Sequence, residues 1–255
     1  MSDTQRCLQR LKYNYQKILG DNLVGIYLHG SYVMGGYNEN VSDLDYLVIV
    51  KTPLSFLIKR QLMAITIEKL WPLAPAKGLE FHVLLLPNVK HFRQPMPFDF
   101  HFSKMHFQHY QKDPTDYIKS MKGTDPDLAA HITIINHFGR VLVGRPVYQI
   151  FDKVPQKIYW QSIIFDIENA KTTIISQPVY VILNLCRALA YKKDRLITSK
   201  LSGGQWGLRH LDSQSGSLIQ QALTEYTRHR LKSTFSASTD ELNIFATKMI
   251  TKLDL

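Results

Sequence analysis

The sequence predicts an α+β fold, with a small mixed sheet and its helices over residues 1–155 and a helical bundle over residues 156–255. Three observations carry this. Short apolar runs bounded by turn residues, at Val24–Leu28, Tyr46–Val50 and Phe81–Leu86, fall only in the first part of the chain. Segments with helical spacing stand before and between them. After Val154-Pro155 only helical spacing remains, which places a domain boundary near residue 155.

The elements follow in order. Cys7, Leu8, Leu11, Tyr15, Ile18 and Leu19 fall on one stripe, which predicts an amphipathic helix over 4–19. Val24–Leu28 reads as a short buried strand, and Asp43–Val50 as a second. Residues 54–71 read as one helix and Glu80–Leu86 as a third strand. This β-β-helix-β order fits a mixed sheet with helices on one face. Residues 88–105, with Pro95 and Pro97, read as an irregular loop over the site. Residues 125–143 read as a helix running into Gly144-Arg145-Pro146. The last hundred residues read as helices broken at Gly203-Gly204, at Asp212–Gly216 and at Ser233–Ser238. One of them, over 176–191, has Ser176 as its N-cap and Pro178 in its first turn.

Composition bounds the function. The chain of 255 residues is 45% apolar and carries a formal net charge of +10. The basic excess divides evenly between the two parts, with no basic tail or block, so it reads as a solvated basic surface rather than a nucleic-acid interface. No apolar run is long enough to span a membrane. The start, Met1–Gln16, is polar with helical spacing and does not read as a secretory signal. Two widely separated cysteines, Cys7 and Cys186, form no disulfide framework or zinc pattern. The expectation is a cytoplasmic monomer acting on small molecules, without membrane or nucleic-acid partners.

The chemistry concentrates between His29 and Val50. Gly30 lets the backbone approach a ligand closely, and Ser31 adds a hydroxyl beside backbone N–H groups, a combination suited to phosphate oxygens. Gly35-Gly36 and Asn38–Asn40 form a loop. Asp43 and Asp45 alternate onto one face of the second strand. Two adjacent carboxylates repel, and sharing a divalent cation with substrate phosphates relieves the repulsion, which suggests a nucleotide–Mg²⁺ site. Glu80 interrupts an apolar strand and shares its face with His82, which reads as a neighbour rather than a catalyst.

Two cations in the last hundred residues have plausible anionic partners. Tyr180, Asn184, Arg187 and Tyr191 form a polar-aromatic stripe opposite the core stripe of Val181, Ile182, Leu185, Ala188 and Leu189. Arg187 on that stripe suits bidentate phosphate binding. Lys200 follows Thr198-Ser199, an N-cap signal. A cation in a first helical turn opposes the helix dipole by roughly 0.3–1 kcal/mol, and an anionic ligand reverses that cost.

Gly30-Ser31 with Asp43-Leu44-Asp45 resembles the signature of the nucleotidyltransferase superfamily. More narrowly, with Gly35-Gly36 and Ser42, it resembles the aminoglycoside adenylyltransferases that modify streptomycin and spectinomycin. The resemblance extends to Leu79-Glu80, Asp125-Pro126-Asp127-Leu128-Ala129, Val143-Gly144-Arg145-Pro146, Val181–Arg187 and Ile197–Lys200 with Trp206. It implies an N-terminal nucleotidyltransferase domain, a C-terminal helical domain and an active-site cleft. It implies ATP as co-substrate and Mg²⁺ as cofactor, with Asp43, Asp45 and Glu80 as catalytic and metal-binding residues and Glu80 as the base. Gly30, Ser31, Ser42, Asp127, Arg187, Lys200 and Tyr226 become the nucleotide-binding set. The implied reaction is transfer of AMP to a hydroxyl of an aminoglycoside or aminocyclitol antibiotic, giving resistance. Met105 stands where streptomycin-modifying members carry Trp, and residues 173–178 lack their carboxylates, which points to spectinomycin. The alternative is a protein of the same fold acting on a protein or RNA acceptor, or an antitoxin-like module.

Overall fold

The computed structural model describes residues 1–228 and 235–255, so the expected break at Ser233–Ser238 lies partly outside the described residues. The chain forms two compact units. One comprises Met1–Val33 and Tyr37–Tyr159, the other Met34–Gly36 and Trp160–Leu255.

The first unit opens with α1 (Asp3–Leu19), started by a capping box between Ser2 and Gln5 and burying Cys7, Leu8, Leu11, Tyr15 and Leu19. Strands β1 (Leu23–Leu28) and β2 (Leu44–Val50) pair antiparallel, with the single turn α2 (Gly30–Val33) between them. Helix α3 (Phe56–Ile65), capped by Ser55, then crosses over to β3 (Leu79–Leu85), which pairs parallel to β2. The continuous helix expected over 54–71 is thus shorter. Beyond Ile65 the chain widens into a π-helical turn, Thr66–Leu70, and tightens into a 3₁₀ turn at Trp71–Leu73. The Thr66 hydroxyl donates to the Leu62 carbonyl at 2.7 Å and meets the Tyr15 hydroxyl at 2.9 Å, and Pro72 cannot continue the ladder.

The segment expected to be irregular holds α4 (Leu86–Lys90), β4 (Met96–Phe98) and β5 (Phe100–Phe102). Helices α5 (Phe107–Lys112) and α6 (Pro114–Ser120) follow, and then β6 (Gly123–Asp125), which pairs with β4. The helix expected over 125–143 is α7 (Leu128–Phe138) alone. Gly139 leaves the helical conformation, and Arg140–Gly144 forms β7, antiparallel to β1. The main sheet therefore runs β5-β3-β2-β1-β7.

Helices cover both faces of this sheet, not one. Ile26, Leu28, Tyr46, Val48, Phe81 and Val83 pack in a core with residues of α1 and α3. Tyr27, Leu47, Ile49 and Leu84 face the opposite core with Leu128, Ile132 and Ile135 of α7. The unbroken apolar run Tyr46–Val50 is what two-sided burial of a central strand requires.

The second unit contains most of α8 (Gln156–Ile167), with α9 (Ala170–Ser176), α10 (Pro178–Asp194), α11 (Lys200–His210), α12 (Ser213–Thr227) and α13 (Thr239–Lys252). Ser176 is not an N-cap: it ends α9, and Gln177 precedes α10. Gly203-Gly204 is not a break either. Both glycines lie inside α11, where a Cβ on Gly204 would stand 2.6 Å from Leu223 Cδ2 and 2.7 Å from Leu183 Cδ2. Close helix packing, not helix termination, requires glycine there. The break expected at Asp212–Gly216 narrows to Leu211-Asp212, with Asp212 capping α12. Ser238 caps α13 in a capping box with Glu241. Among the described residues, no helix is long and apolar enough to cross a membrane.

Candidate active site

The parallel register of β2 and β3 sets Asp45 directly beside Glu80. Asp43 lies just before β2, two residues from Asp45. One carboxylate oxygen from each of Asp43, Asp45 and Glu80 lies within 4.8 Å of the other two. Three like charges so close favour either a shared cation or a retained proton. The all-oxygen donor set suits a hard divalent ion such as Mg²⁺.

The turn before this cluster is shaped around it. Gly30 has φ +63°, and a Cβ there would lie 1.8 Å from Asp45 Oδ2. The backbone N–H of His29 donates to the Asp45 carbonyl at 3.0 Å, pinning the turn to β2. The Ser31 hydroxyl oxygen is buried without a hydrogen-bond partner among the described residues. A buried orphan hydroxyl beside a carboxylate cluster is the local chemistry that a metal-bound phosphate oxygen would satisfy. Ser42 is buried and already engaged: its hydroxyl accepts from the Asn38 N–H at 3.1 Å, and its own N–H donates to the Asn38 carbonyl at 2.8 Å. It closes the loop that delivers Asp43.

Around Glu80 lies a histidine cluster that the sequence did not reveal. The ring of His82 stacks on His101 with centroids 3.9 Å apart, and it meets His131 edge-on at 5.8 Å. His29 packs against His131 at 4.6 Å. His82 Nε2 lies 3.3 Å from Asp125 Oδ2, and His131 Nε2 lies 3.2 Å from Asp127 Oδ2. Burial lowers the pKa of His29 and of His82, and it takes His101 down to about 2. His131 is the exception: burial alone would lower it, but Asp127, then Glu80 and Asp125, raise it to about 10. Burial would likewise raise Asp125, but the His82 contact and the Asp127 N–H hold it down to about 2.

These charges converge on Glu80. Burial raises its pKa to about 7; the His131 imidazolium opposes the shift, and Asp43, Asp127 and Asp125 reinforce it. A carboxylate poised near neutrality is suited to general-base work. One trace of the cluster is visible in sequence, since Asp127 and His131 are one helical turn apart. His101 leaves no local signal and Asp125 only its place in the Asp125-Pro126-Asp127 motif; the strand pairings β3–β5 and β4–β6 bring them in.

The remaining predicted residues belong to the second unit. Arg187 donates from Nε to the Thr198 carbonyl at 2.8 Å and from Nη1 to Asn184 Oδ1 at 2.9 Å. Asn184 and Tyr191 are buried, so the polar-aromatic stripe of α10 is not an open face. Tyr180 donates to Asp166 Oδ1 at 2.7 Å, and Lys200 Nζ lies 4.8 Å from the centre of its ring. Ser199 caps α11 as expected, with Ser202 closing the box. The Tyr226 hydroxyl donates to the Gly36 carbonyl at 3.1 Å.

The chain as a whole is similar to several known proteins. A model of an aminoglycoside adenylyltransferase C-terminal domain matches residues 149–252. The spectinomycin 9-adenylyltransferases of Staphylococcus aureus strains Mu50 and N315 are each 27% identical over 227 residues, covering 87% of this chain and 84% of the relative. The crystal structure of spectinomycin adenyltransferase AAD(9) from Enterococcus faecialis with ATP and spectinomycin superimposes with a TM-score of 0.81 at 21% identity, over 98% of this chain and 99% of that one. The nucleotidyltransferase domain model matches residues 7–171, and with more than half its length so matched the chain belongs to the nucleotidyltransferase domain family.

Proposed function

We propose that this protein transfers AMP from ATP to a hydroxyl of an aminoglycoside or aminocyclitol antibiotic, with spectinomycin as the acceptor. The observation that carries the proposal is the Asp43–Asp45–Glu80 cluster beside the orphaned Ser31 hydroxyl. The curated relatives, named for spectinomycin, support the choice of acceptor. In this reading residues 1–155 are the catalytic domain and 156–255 the helical domain. The two cysteines are buried and unbridged, which suits a reducing cytoplasm.

Each residue then has a task. The Gly30-Ser31 turn receives the phosphates, with the Ser31 hydroxyl donating to one of their oxygens. Asp43 and Asp45, with Glu80 at their edge, would hold Mg²⁺, which supplies charge neutralisation at the phosphate oxygens. Glu80 accepts the proton of the acceptor hydroxyl as its oxygen attacks the α-phosphorus. The bond from the α-phosphorus to the bridging oxygen breaks, and pyrophosphate leaves with that electron pair. Arg187 and Lys200 supply positive charge for the nucleotide phosphates, while Asp127 and Tyr226 complete the nucleotide set. Ser42 contributes by holding the Asp43 loop.

The test is mass spectrometry of spectinomycin and streptomycin, each incubated with purified protein, ATP and Mg²⁺. An AMP adduct on spectinomycin alone is expected, because Met105 and residues 173–178 lack the features of streptomycin-modifying members. Adducts on both would remove the selectivity argument. Adducts on neither would move the acceptor to another class, such as protein or RNA.

A further inference from the structure

We propose that Glu80, His82 and His101 form a binding site for a borderline divalent metal ion of the zinc class, with a donor set distinct from the Asp43–Asp45 pair. One ligand atom from each of the three residues lies within 4.8 Å of the other two. Donor atoms around a tetrahedral zinc with bonds of roughly 2.0–2.2 Å stand about 3.4 Å apart, so the three side chains draw together on binding. The site rests on regular sheet rather than on loops. Glu80 and His82 are two residues apart on one face of β3, and His101 is the cross-strand partner of His82 on β5.

The two rings lie stacked, so joint ligation requires one of them to turn toward the shared point. His101 Nδ1 lies 3.1 Å from the Phe81 carbonyl, an acceptor only, so the proton sits on Nδ1 and Nε2 keeps its lone pair. The Asp125 carboxylate lies 3.3 Å from His82 Nε2, an ion-pair distance. Both ring nitrogens of His82 are buried, on a side chain only 1% exposed, and neither has a hydrogen-bond partner among the described residues, which leaves a lone pair for a metal ion. A carbonyl behind one ligand and a carboxylate behind the other are the usual supports of metal-bound histidine. Two neutral imidazoles and one carboxylate select zinc-like ions over Mg²⁺, which prefers oxygen donors. The inference concerns binding alone and holds whatever the acceptor of the transfer reaction.

The experiment uses the full-length protein, stripped with chelator and titrated with Zn²⁺ by calorimetry, with bound zinc counted by elemental mass spectrometry after desalting. Imidazole ¹⁵N resonances of the unmutated protein are followed in parallel. Retention of one zinc per chain is expected, with a large shift of one ring nitrogen in each of His82 and His101. His101→Gln, on a strand at the sheet edge, is expected to abolish retention. Asp125→Asn is expected to weaken Zn²⁺ binding by roughly 10–100-fold. Asp43→Asn is expected to retain zinc within a few-fold of the unmutated affinity. Loss of all zinc on desalting, unshifted His82 and His101 nitrogens, or binding that follows Asp43 rather than His101 would each overturn the proposal.

Discussion

The carboxylate of Asp45 occupies the space where a side chain at position 30 would begin: a Cβ on Gly30 would stand 1.8 Å from Asp45 Oδ2. The same glycine has φ +63°, a conformation that costs other L residues about 1–2 kcal/mol. Turn and carboxylate are therefore fitted to each other. Gly30→Ala is expected to displace Asp45 and lower kcat/KM at least about 100-fold, as misplacement by an ångström does elsewhere. Steady-state kinetics with a parallel thermal melt checks this; a displaced carboxylate costs far more activity than stability.

Asp43→Asn and Asp45→Asn each remove one charge from a cluster whose repulsion a cation relieves. Both variants are expected to keep their fold and lose turnover to background. Calorimetric titration with ATP, with and without Mg²⁺, is expected to show that the metal no longer strengthens nucleotide binding.

Glu80 titrates near pH 7 in the folded protein, and a base works only when ionised. Activity is therefore expected to fall as pH drops through about 7. Glu80→Gln is expected to lose about 10²–10⁴-fold in kcat and with it the acid limb of the profile. The stability effect has the opposite sign. A carboxyl whose folded pKa lies above its unfolded value of 4.5 stabilises the fold at low pH, and that contribution is lost as pH rises through about 7. At pH 8 the Glu80→Gln variant is expected to be more stable, by on the order of 1 kcal/mol, in urea denaturation.

His131 carries its positive charge up to about pH 10 and favours the ionised form of Glu80. Removing that charge in His131→Gln is expected to move the acid limb of the pH–rate profile upward by roughly one unit. A profile that stays in place would mean that His131 acts on packing alone.

Gly204→Ala tests the packing of the second unit. The added methyl would meet Leu223 and Leu183 well inside van der Waals contact. Although alanine is the better helix former, the variant is expected to lose about 1–3 kcal/mol in denaturant melts.

What was legible in the sequence depended on distance along the chain. Gly30, Ser31, Asp43 and Asp45 were readable because their neighbours in space are also their neighbours in sequence. Glu80 was readable because a carboxylate in an apolar strand is conspicuous. His101 reaches His82 only through strand pairing, and Asp125 reaches it only through a separate two-stranded ladder, so neither contact with His82 has a local mark. Strand β7 reads as part of the preceding helix because apolar residues resume after Asn136-His137, at Phe138, Val141, Leu142 and Val143, although Val141 and Val143 alternate as a strand does. Gly203-Gly204 misled in the other direction, since a glycine pair reads as a stop unless one knows that Leu183 and Leu223 press against it.

The parallel pairing of β2 with β3 has a consequence for how such a protein changes. Asp45 and Glu80 sit on adjacent central strands, clamped by cores on both faces, whereas Met105 is 81% exposed in a short turn outside the sheet. In the proposed reading, reaction and acceptor choice would thus be built from materials of different stiffness. Substitutions around Met105 would then test new acceptors at almost no folding cost, while any attempt to relocate the carboxylates must first dismantle the sheet. A directed-evolution campaign would widen the acceptor range long before it altered the chemistry.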